Sequence, residues 1–363
     1  MRLIAIFFFL FAPFFLLAQN FYAYTDTFGY LYTYDEGYIR KMGDQPVGKY
    51  GFGTDDAVFV NAIDEFKVTF GTGSQLLAEL PPTRWTFSRR MLTFEQNRSL
   101  YVYWDKRLKR LSFFNGAYST QDSLVCFYDR TNAFKVFYNG IIYNINTIPV
   151  RNYLAKRNIV AYNTNAYVFK VFLRGKVRTL EKYEVEDYQV GLNTVAYLDQ
   201  TGRLKAYNSS NVYDLAEVTP NFYKVADDIV VFHTLNDDFK VFYKDSVYKL
   251  ETFLPKQHWI DNGLVYYADE NNRLKVFDRG ELQFVSFFMP KDIQVFNHTL
   301  CFLDQYNHLY RYDGGEVKNI SNEAITKYII NGDLIIYHAQ VNDIVFVPRG
   351  KKPYRVRYNW QRF

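Results

Sequence analysis

Phe134-Lys135-Val136-Phe137, Phe169-Lys170-Val171-Phe172, Leu204-Lys205-Ala206-Tyr207, Phe239-Lys240-Val241-Phe242 and Leu274-Lys275-Val276-Phe277 are one phrase written five times, each 35 residues after the last. Carrying the frame outward reaches Leu309 and Ile344 downstream, and Leu100, Phe66 and Leu31 upstream, at steps of 34 or 35. Ten copies therefore fill almost everything after the N-terminus. A fixed period of this length marks a repeat architecture, in which each unit buries its apolar surface only against its neighbours.

One copy shows how the unit is built. Around Phe239, a short strand at Tyr223-Lys224-Val225-Ala226 meets the turn pair Asp227-Asp228, and the second strand Ile229-Val230-Val231-Phe232 follows. A polar loop from His233 to Asp238 leads to the third strand, Phe239 to Tyr243; Lys244-Asp245-Ser246 then turns into the fourth, Val247 to Leu250. Other copies place Asn262-Gly263, Asn297-His298 or Asn331-Gly332 at the first turn, and Asn139-Gly140, Arg174-Gly175, Arg279-Gly280 or Gly314-Gly315 at the third. Such pairs accept the positive φ that a tight hairpin needs. No window sustains a 3.6-residue apolar period, so no helix is expected beyond a turn or two.

Four short antiparallel strands per 35 residues are the content of a β-propeller blade, and blades packed face to face bury both sides of each sheet. That accounts for a chain that is 20% aromatic. Phe127, Tyr162, Tyr197, Phe232, Tyr267, Phe302 and Tyr337 share one strand position, and Phe137, Phe172, Tyr207, Phe242, Phe277 and Tyr312 another. Both sets read as core. The steps from 169 to 344 run without a linker, so the preferred arrangement is all-β: one ring of ten compact four-stranded blades with a wide central channel. The alternative is two five-bladed rings in tandem. Copy one lacks a strand of its own, and the tail from Tyr358 to Phe363 would supply part of it, closing the ring and covering an open sheet edge. Copies two and three depart most from consensus, with Pro81-Pro82 and the basic stretch Lys106-Arg107-Leu108-Lys109-Arg110.

Met1-Arg2, the apolar run from Leu3 to Leu17 and Ala18-Gln19 read as a secretory signal peptide over residues 1–18, ahead of a repeat domain over 19–363. The run is shorter than the roughly 20 residues of a membrane span and is interrupted by Pro13. No second run approaches that length, so no transmembrane span is expected in the mature chain. Cleavage after Ala18 removes one cation, Arg2, and leaves 42 basic against 38 acidic residues. A balance that even excludes a dedicated nucleic-acid binder.

Motifs of chemistry are scarce. Cys126 and Cys301 share one register five copies apart and read as buried free thiols, not a disulfide. His233, His258, His298, His308 and His338 form no metal-type pair, and His233 and His338 read as solvated loop residues. No nucleophile elbow, phosphate loop or dinucleotide fingerprint occurs, so no cofactor, metal or catalytic residue is expected. Asp26, Asp129, Asp199, Asp269 and Asp304 recur two residues past the second-strand aromatic; they read as Asx-turn caps rather than a calcium ring. Lys135, Lys170, Lys205, Lys240 and Lys275, with Lys67, hold one position of the third strand. Their stems would pack over a neighbouring tyrosine, and their ammoniums make them candidates for binding an anion or an acidic partner.

The hairpin Val195-Ala196-Tyr197-Leu198-Asp199-Gln200-Thr201-Gly202-Arg203-Leu204 resembles those of bacterial β-propeller repeats in the broad WD40-like and quinoprotein-like class. The resemblance spans all ten copies and is architectural; no Gly-His/Trp-Asp pair, kelch double glycine or quinone-site signature accompanies it. It implies a non-catalytic interaction scaffold; with the signal peptide, the expectation is a protein exported to the periplasm or attached peripherally to the outer membrane in preference to free secretion, with an envelope protein as partner. The alternatives are a carbohydrate-binding propeller with repeated inter-blade pockets, and an enzyme whose rim site lies near Arg84 to Arg110. The chain ends inside its tenth repeat, so no separate C-terminal sorting domain is expected.

Overall fold

The computed structural model describes residues 20–113, 116–340 and 343–357. They form ten antiparallel sheets, each made of strands consecutive in sequence; nine sheets have four strands and the first has three. The blades run Phe21–Lys41, Lys49–Ala78, Arg84–Ser112, Tyr118–Asn146, Asn152–Glu181, Tyr188–Ala216, Phe222–Glu251, His258–Ser286, Ile293–Ser321 and Lys327–Arg357. We number them 1 to 10. Blade 7 has its four strands at Phe222–Ala226, Ile229–His233, Phe239–Tyr243 and Ser246–Glu251, within a residue of the sequence reading.

Blade-on-blade packing repeats at the 35-residue step. Phe134 meets Tyr162 of the next blade edge to face, with ring centroids 6.0 Å apart. Phe169 meets Tyr197 at 5.4 Å and Phe239 meets Tyr267 at 5.9 Å in the same way. Edge-to-face contact places the positive ring edge on the negative ring face, so each pair adds to the area it buries. Every residue of the two aromatic registers is buried. Cys126 and Cys301 are buried free thiols, and burial raises both above their ordinary pKa.

The same contact logic distinguishes one ring from two. Blade 5 packs onto blade 6 through Ile159, Phe169 and Val171 against Val195 and Tyr197. Blade 10 packs onto blade 1 through Leu334, Ile336 and Phe346 against Tyr24 and Tyr34. There the Tyr34 and Phe346 rings stack 4.3 Å apart. Ten blades therefore close into a single ring, and the tandem alternative is excluded.

First strands of neighbouring blades touch and face the axis, whereas fourth strands form the outer edge. In blade 1, Phe21–Thr25 pairs with Leu31–Asp35 and so occupies the second-strand place. Asn331 bridges this junction: its amide donates to the carbonyls of Phe21, 2.8 Å away, and Gly53, 3.2 Å away. The expected signal peptide at residues 1–18 and the closing tail from Tyr358 to Phe363 lie outside the described residues.

Candidate interaction faces

Because each blade is an antiparallel meander, its first and third turns lie at one end of the ring. Its second loop and the linker to the next blade lie at the other. The two ends are chemically unlike.

At the turn end, two arginines cross the channel. Arg89 opens the first turn of blade 3, and its guanidinium donates to Asn297 Oδ1 of blade 9 at 2.8 Å and Asn262 Oδ1 of blade 8 at 3.2 Å. It also pairs with Asp122 of blade 4 at 3.1 Å and lies over the Phe296 ring. Arg157, in the first turn of blade 5, pairs with Asp227 of blade 7 at 2.9 Å and donates to Asn262 at 2.8 Å. A ring of ten blades was expected to leave a wide central channel; at this end side chains of opposite blades meet across it. Asp227 is nearly inaccessible, and burial raises its carboxyl even though Arg157 and Arg89 pull it down. Burial and the adjacent Arg157 charge lower Arg89.

These arginines sit where other copies place Asn-Gly. Arg89, Arg157, Asp227, Asn262 and Asn297 all have φ between 34° and 53°, the left-handed region that disfavours a branched Cβ. Asparagine tolerates it readily; arginine does so here while its head group is held across the channel. Blades 2, 4 and 6 instead carry a wider first turn that donates to the next blade. Thr54 N bonds to Arg89 O at 2.7 Å, Ser123 N to Arg157 O at 3.3 Å and Leu192 N to Asp227 O at 2.7 Å. Glycine is required beside two of them, because a Cβ at Gly53 or Gly191 would stand 2.0 or 1.9 Å from the carbonyl of Arg89 or Asp227.

At the loop end, the recurring aspartates cap their own loops. Asp199 Oδ1 accepts from the Thr201 and Arg203 amides at 2.9 and 3.0 Å, and Asp129 does the same with Thr131 and Ala133. Asp26, Asp269 and Asp304 repeat the pattern. Among the described residues, no three His, Cys, Asp or Glu side chains gather as a metal site.

The lysine register borders this end. Lys135 pairs with Asp129 at 2.6 Å and Lys240 with Asp238 at 3.0 Å. Lys205 lies 3.2 Å from both Glu181 and Asp199, and Lys275 lies 2.8 Å from Glu251. A β-bulge falls immediately before each of these lysines and redirects its side chain. In blade 5 the loop residue is Thr164, and Lys170 has no ion pair among the described residues. The charge that Lys135, Lys205, Lys240 and Lys275 would offer an anion is thus met within the protein. Only Lys275 also lies over a tyrosine ring, that of Tyr267, 6.0 Å from the centroid. His233 is buried, not solvated: Phe222 packs against its ring and Asn221 Nδ2 lies 3.2 Å from its Nδ1.

What the loop end exposes is apolar. Thirteen large apolar side chains are half exposed or more among the described residues, and eleven of them stand on second loops or inter-blade linkers. Phe28, Ile63, Tyr167, Leu235 and Tyr306 project from loops; Leu80, Phe113, Phe287 and Phe288 from linkers. The two exceptions, Tyr38 and Ile141, open fourth strands. Periodicity could not have revealed this face, since the exposed residues share no single register. The crossed arginines did leave a signal, a bulky cation in a two-residue turn.

The molecule is thus a closed ten-bladed β-propeller with one polar, cross-linked end and one apolar end. The 10-bladed beta propeller domain family matches over residues 15–353, and the chain belongs to that family. No curated protein matches it. Among solved structures it is similar to the computationally designed Ika8 protein, at 14% identity over 83% of this chain and 95% of that one, with a TM-score of 0.30. It is also similar to the tricorn protease, at 11% identity over 94% of this chain and 48% of that one (TM-score 0.31). Human WBSCR16 aligns at 10% identity over 64% of this chain and 89% of that one, with a TM-score of 0.32.

Proposed function

We propose that this protein is a non-catalytic scaffold that docks a protein partner on its loop end. The apolar face carries this reading. Exposed apolar side chains gathered on one face mark interaction surfaces, and eleven of the thirteen large apolar side chains that are half exposed or more among the described residues stand at this end of the ring. Both signs of charge adjoin it: Asp64 follows Ile63 and Glu79 precedes Leu80, while the Arg110 and Arg151 guanidiniums lie over the Phe113 and Tyr167 rings. An apolar face bordered by mixed charge suits a protein partner of mixed surface. The reading of residues 1–18 as an export signal supports a scaffold that works with its partner in a bacterial envelope, periplasmic or attached peripherally to the outer membrane.

A C-terminally tagged chain purified from detergent-solubilised envelopes should bring down one protein in stoichiometric amount. Replacing Phe287 and Phe288 together by serine should remove that protein, whereas Lys244→Glu at the turn end should retain it. A partner that survives the double substitution but is lost with Lys244→Glu would move the docking face to the other end.

A further inference from the structure

A second site lies on the outer edge between blades 3 and 4, independent of the loop face. A cavity of about 230 Å³ is lined there by Val102, Trp104, Leu108 and Phe137, with Arg107, Lys109 and Gly140 at its mouth. We propose that it binds one acidic sugar ring of an anionic polysaccharide.

The fourth-strand position beside the cavity varies among the blades: Gln75, Lys109, Arg178, Gln283 and Lys318 hold it in blades 2, 3, 5, 8 and 9. In blades 4, 6 and 7 the residue at the Lys109 position is Tyr143, Tyr213 or Tyr248. Each of these rings reaches the third turn of the next blade: a Cβ at Gly175 would stand 2.8 Å from the Tyr143 hydroxyl, and one at Gly280 would stand 3.2 Å from that of Tyr248, while the Tyr213 hydroxyl bonds to Asp245. In blade 3 a lysine replaces that ring, and Lys109 Nζ donates to Gly140 O at 2.8 Å. The groove is left open beneath it. Trp104 forms the floor, backed by the buried Phe137, with the two rings edge to face and their centroids 6.1 Å apart. Gly140, at φ 80°, lets the turn approach the indole: a Cβ there would sit 3.0 Å from Trp104.

The charge at the mouth is met in part by a carbonyl and by rings: besides the Lys109 bond to Gly140, Lys106 lies 5.6 Å from the Phe70 centroid and Arg110 3.8 Å from that of Phe113. Lys106, Arg107, Lys109 and Arg110 crowd one turn and strand, and none has an ion pair among the described residues. Protection of an open sheet edge does not explain them, because the outer strands of the flanking blades, Gly73–Ala78 and Ile141–Asn146, are equally open and carry no charge. Arg107 and Lys109 alternate onto the same side of their strand, the side of the cavity. An aromatic floor suits the C–H face of a pyranose, and a guanidinium with an ammonium carrying spare donors suits its acidic substituent. The volume lies below the roughly 300 Å³ where ordinary ligand pockets begin, which fits one ring and not a longer ligand.

Titration of the full chain with galacturonate oligosaccharides tests this, with their methyl esters as the uncharged match and polyphosphate as a polyanion without rings. One binding site per chain is expected, with affinity at least tenfold weaker for the methyl esters. Trp104→Ala should weaken galacturonate binding tenfold or more and leave polyphosphate unaffected. Arg107→Ser with Lys109→Ser, both fully on the surface, should weaken binding without lowering the melting temperature, so the test survives if Trp104→Ala misfolds. No binding, or binding that is equal for polyphosphate and indifferent to Trp104, would overturn the proposal and leave a generic basic edge.

Discussion

The two ends of the ring solve the same problem in opposite ways. Each must hold tight connections in place, and in several blades each does so with an aspartate. At the loop end every recurring aspartate is served by its own loop: Asp129 and Asp199 accept backbone amides, a threonine hydroxyl and a lysine, and these outweigh burial and hold both carboxyls down at about 2. At the turn end Asp227 is enclosed by side chains of other blades, and Asp56 is partly buried without an ion pair among the described residues. Burial and the neighbouring Asp55 push Asp56 up to about 6, and Asp227 is raised although two guanidiniums face it. Local satisfaction leaves the loop end free to vary and to display apolar groups. Long-range satisfaction makes the turn end a set of interlocked parts that cannot vary singly.

The sharpest break in that contrast is Arg157→Ala. It strips Asp227 of a partner at 2.9 Å in a place where the carboxylate is almost fully covered. Removing one member of a buried pair leaves an uncompensated charge, and a loss of about 3 kcal/mol is expected in urea unfolding. Lys135→Met removes an ion pair of 2.6 Å at the loop end, where water screens it, and should cost under about 1 kcal/mol. Similar losses for the two would erase the distinction between the ends.

How much of this was legible in the sequence follows from what repeats. Features that recur in every blade, such as the aromatic registers, the Asx aspartates and the four-strand plan, leave a periodic trace, and Phe134, Asp199 and Tyr267 stand where the period puts them. Features made by one residue meeting another half a ring away leave none. Nothing in the phrase around Arg89 says that Asn262 lies within reach, because that distance is fixed only when the ring closes. The cavity beside Trp104 falls between these cases. Its basic stretch was visible as a departure from consensus, but its floor is backed by Phe137 of the next blade.

A second test uses pH on the turn end alone. Asp56 keeps its proton to a higher pH when folded than when unfolded, so the folded state loses stability as pH rises from about 4 to about 6. Asp56→Asn removes that penalty. The variant should be more stable than the parent by about 1–2 kcal/mol at pH 7, with the gain vanishing near pH 3.5. A gain that persists at low pH would mean that shape or hydrogen bonding, and not the buried charge, is the cause.

The smallest effect should come from the matching change at the loop end, with the opposite sign. Asp199 is held below its unfolded value, so its contribution is present above about pH 4 and is lost as pH falls toward 2. Asp199→Asn keeps an oxygen for the Thr201 and Arg203 amides and removes only the charge. Lys205 then still has Glu181 at 3.2 Å. With Glu181 still beside Lys205 and the amide oxygen still accepting from the loop, a loss of about 1 kcal/mol at pH 7 is expected, shrinking toward zero by pH 2. Thermal unfolding of parent and variant across that range measures it. Relative to the parent, the two aspartate variants should therefore diverge as pH rises: one gains stability and the other loses it. Parallel curves would mean that the two ends hold their carboxylates alike, and the division between local and ring-wide support would fail at the residue where it is most directly expressed.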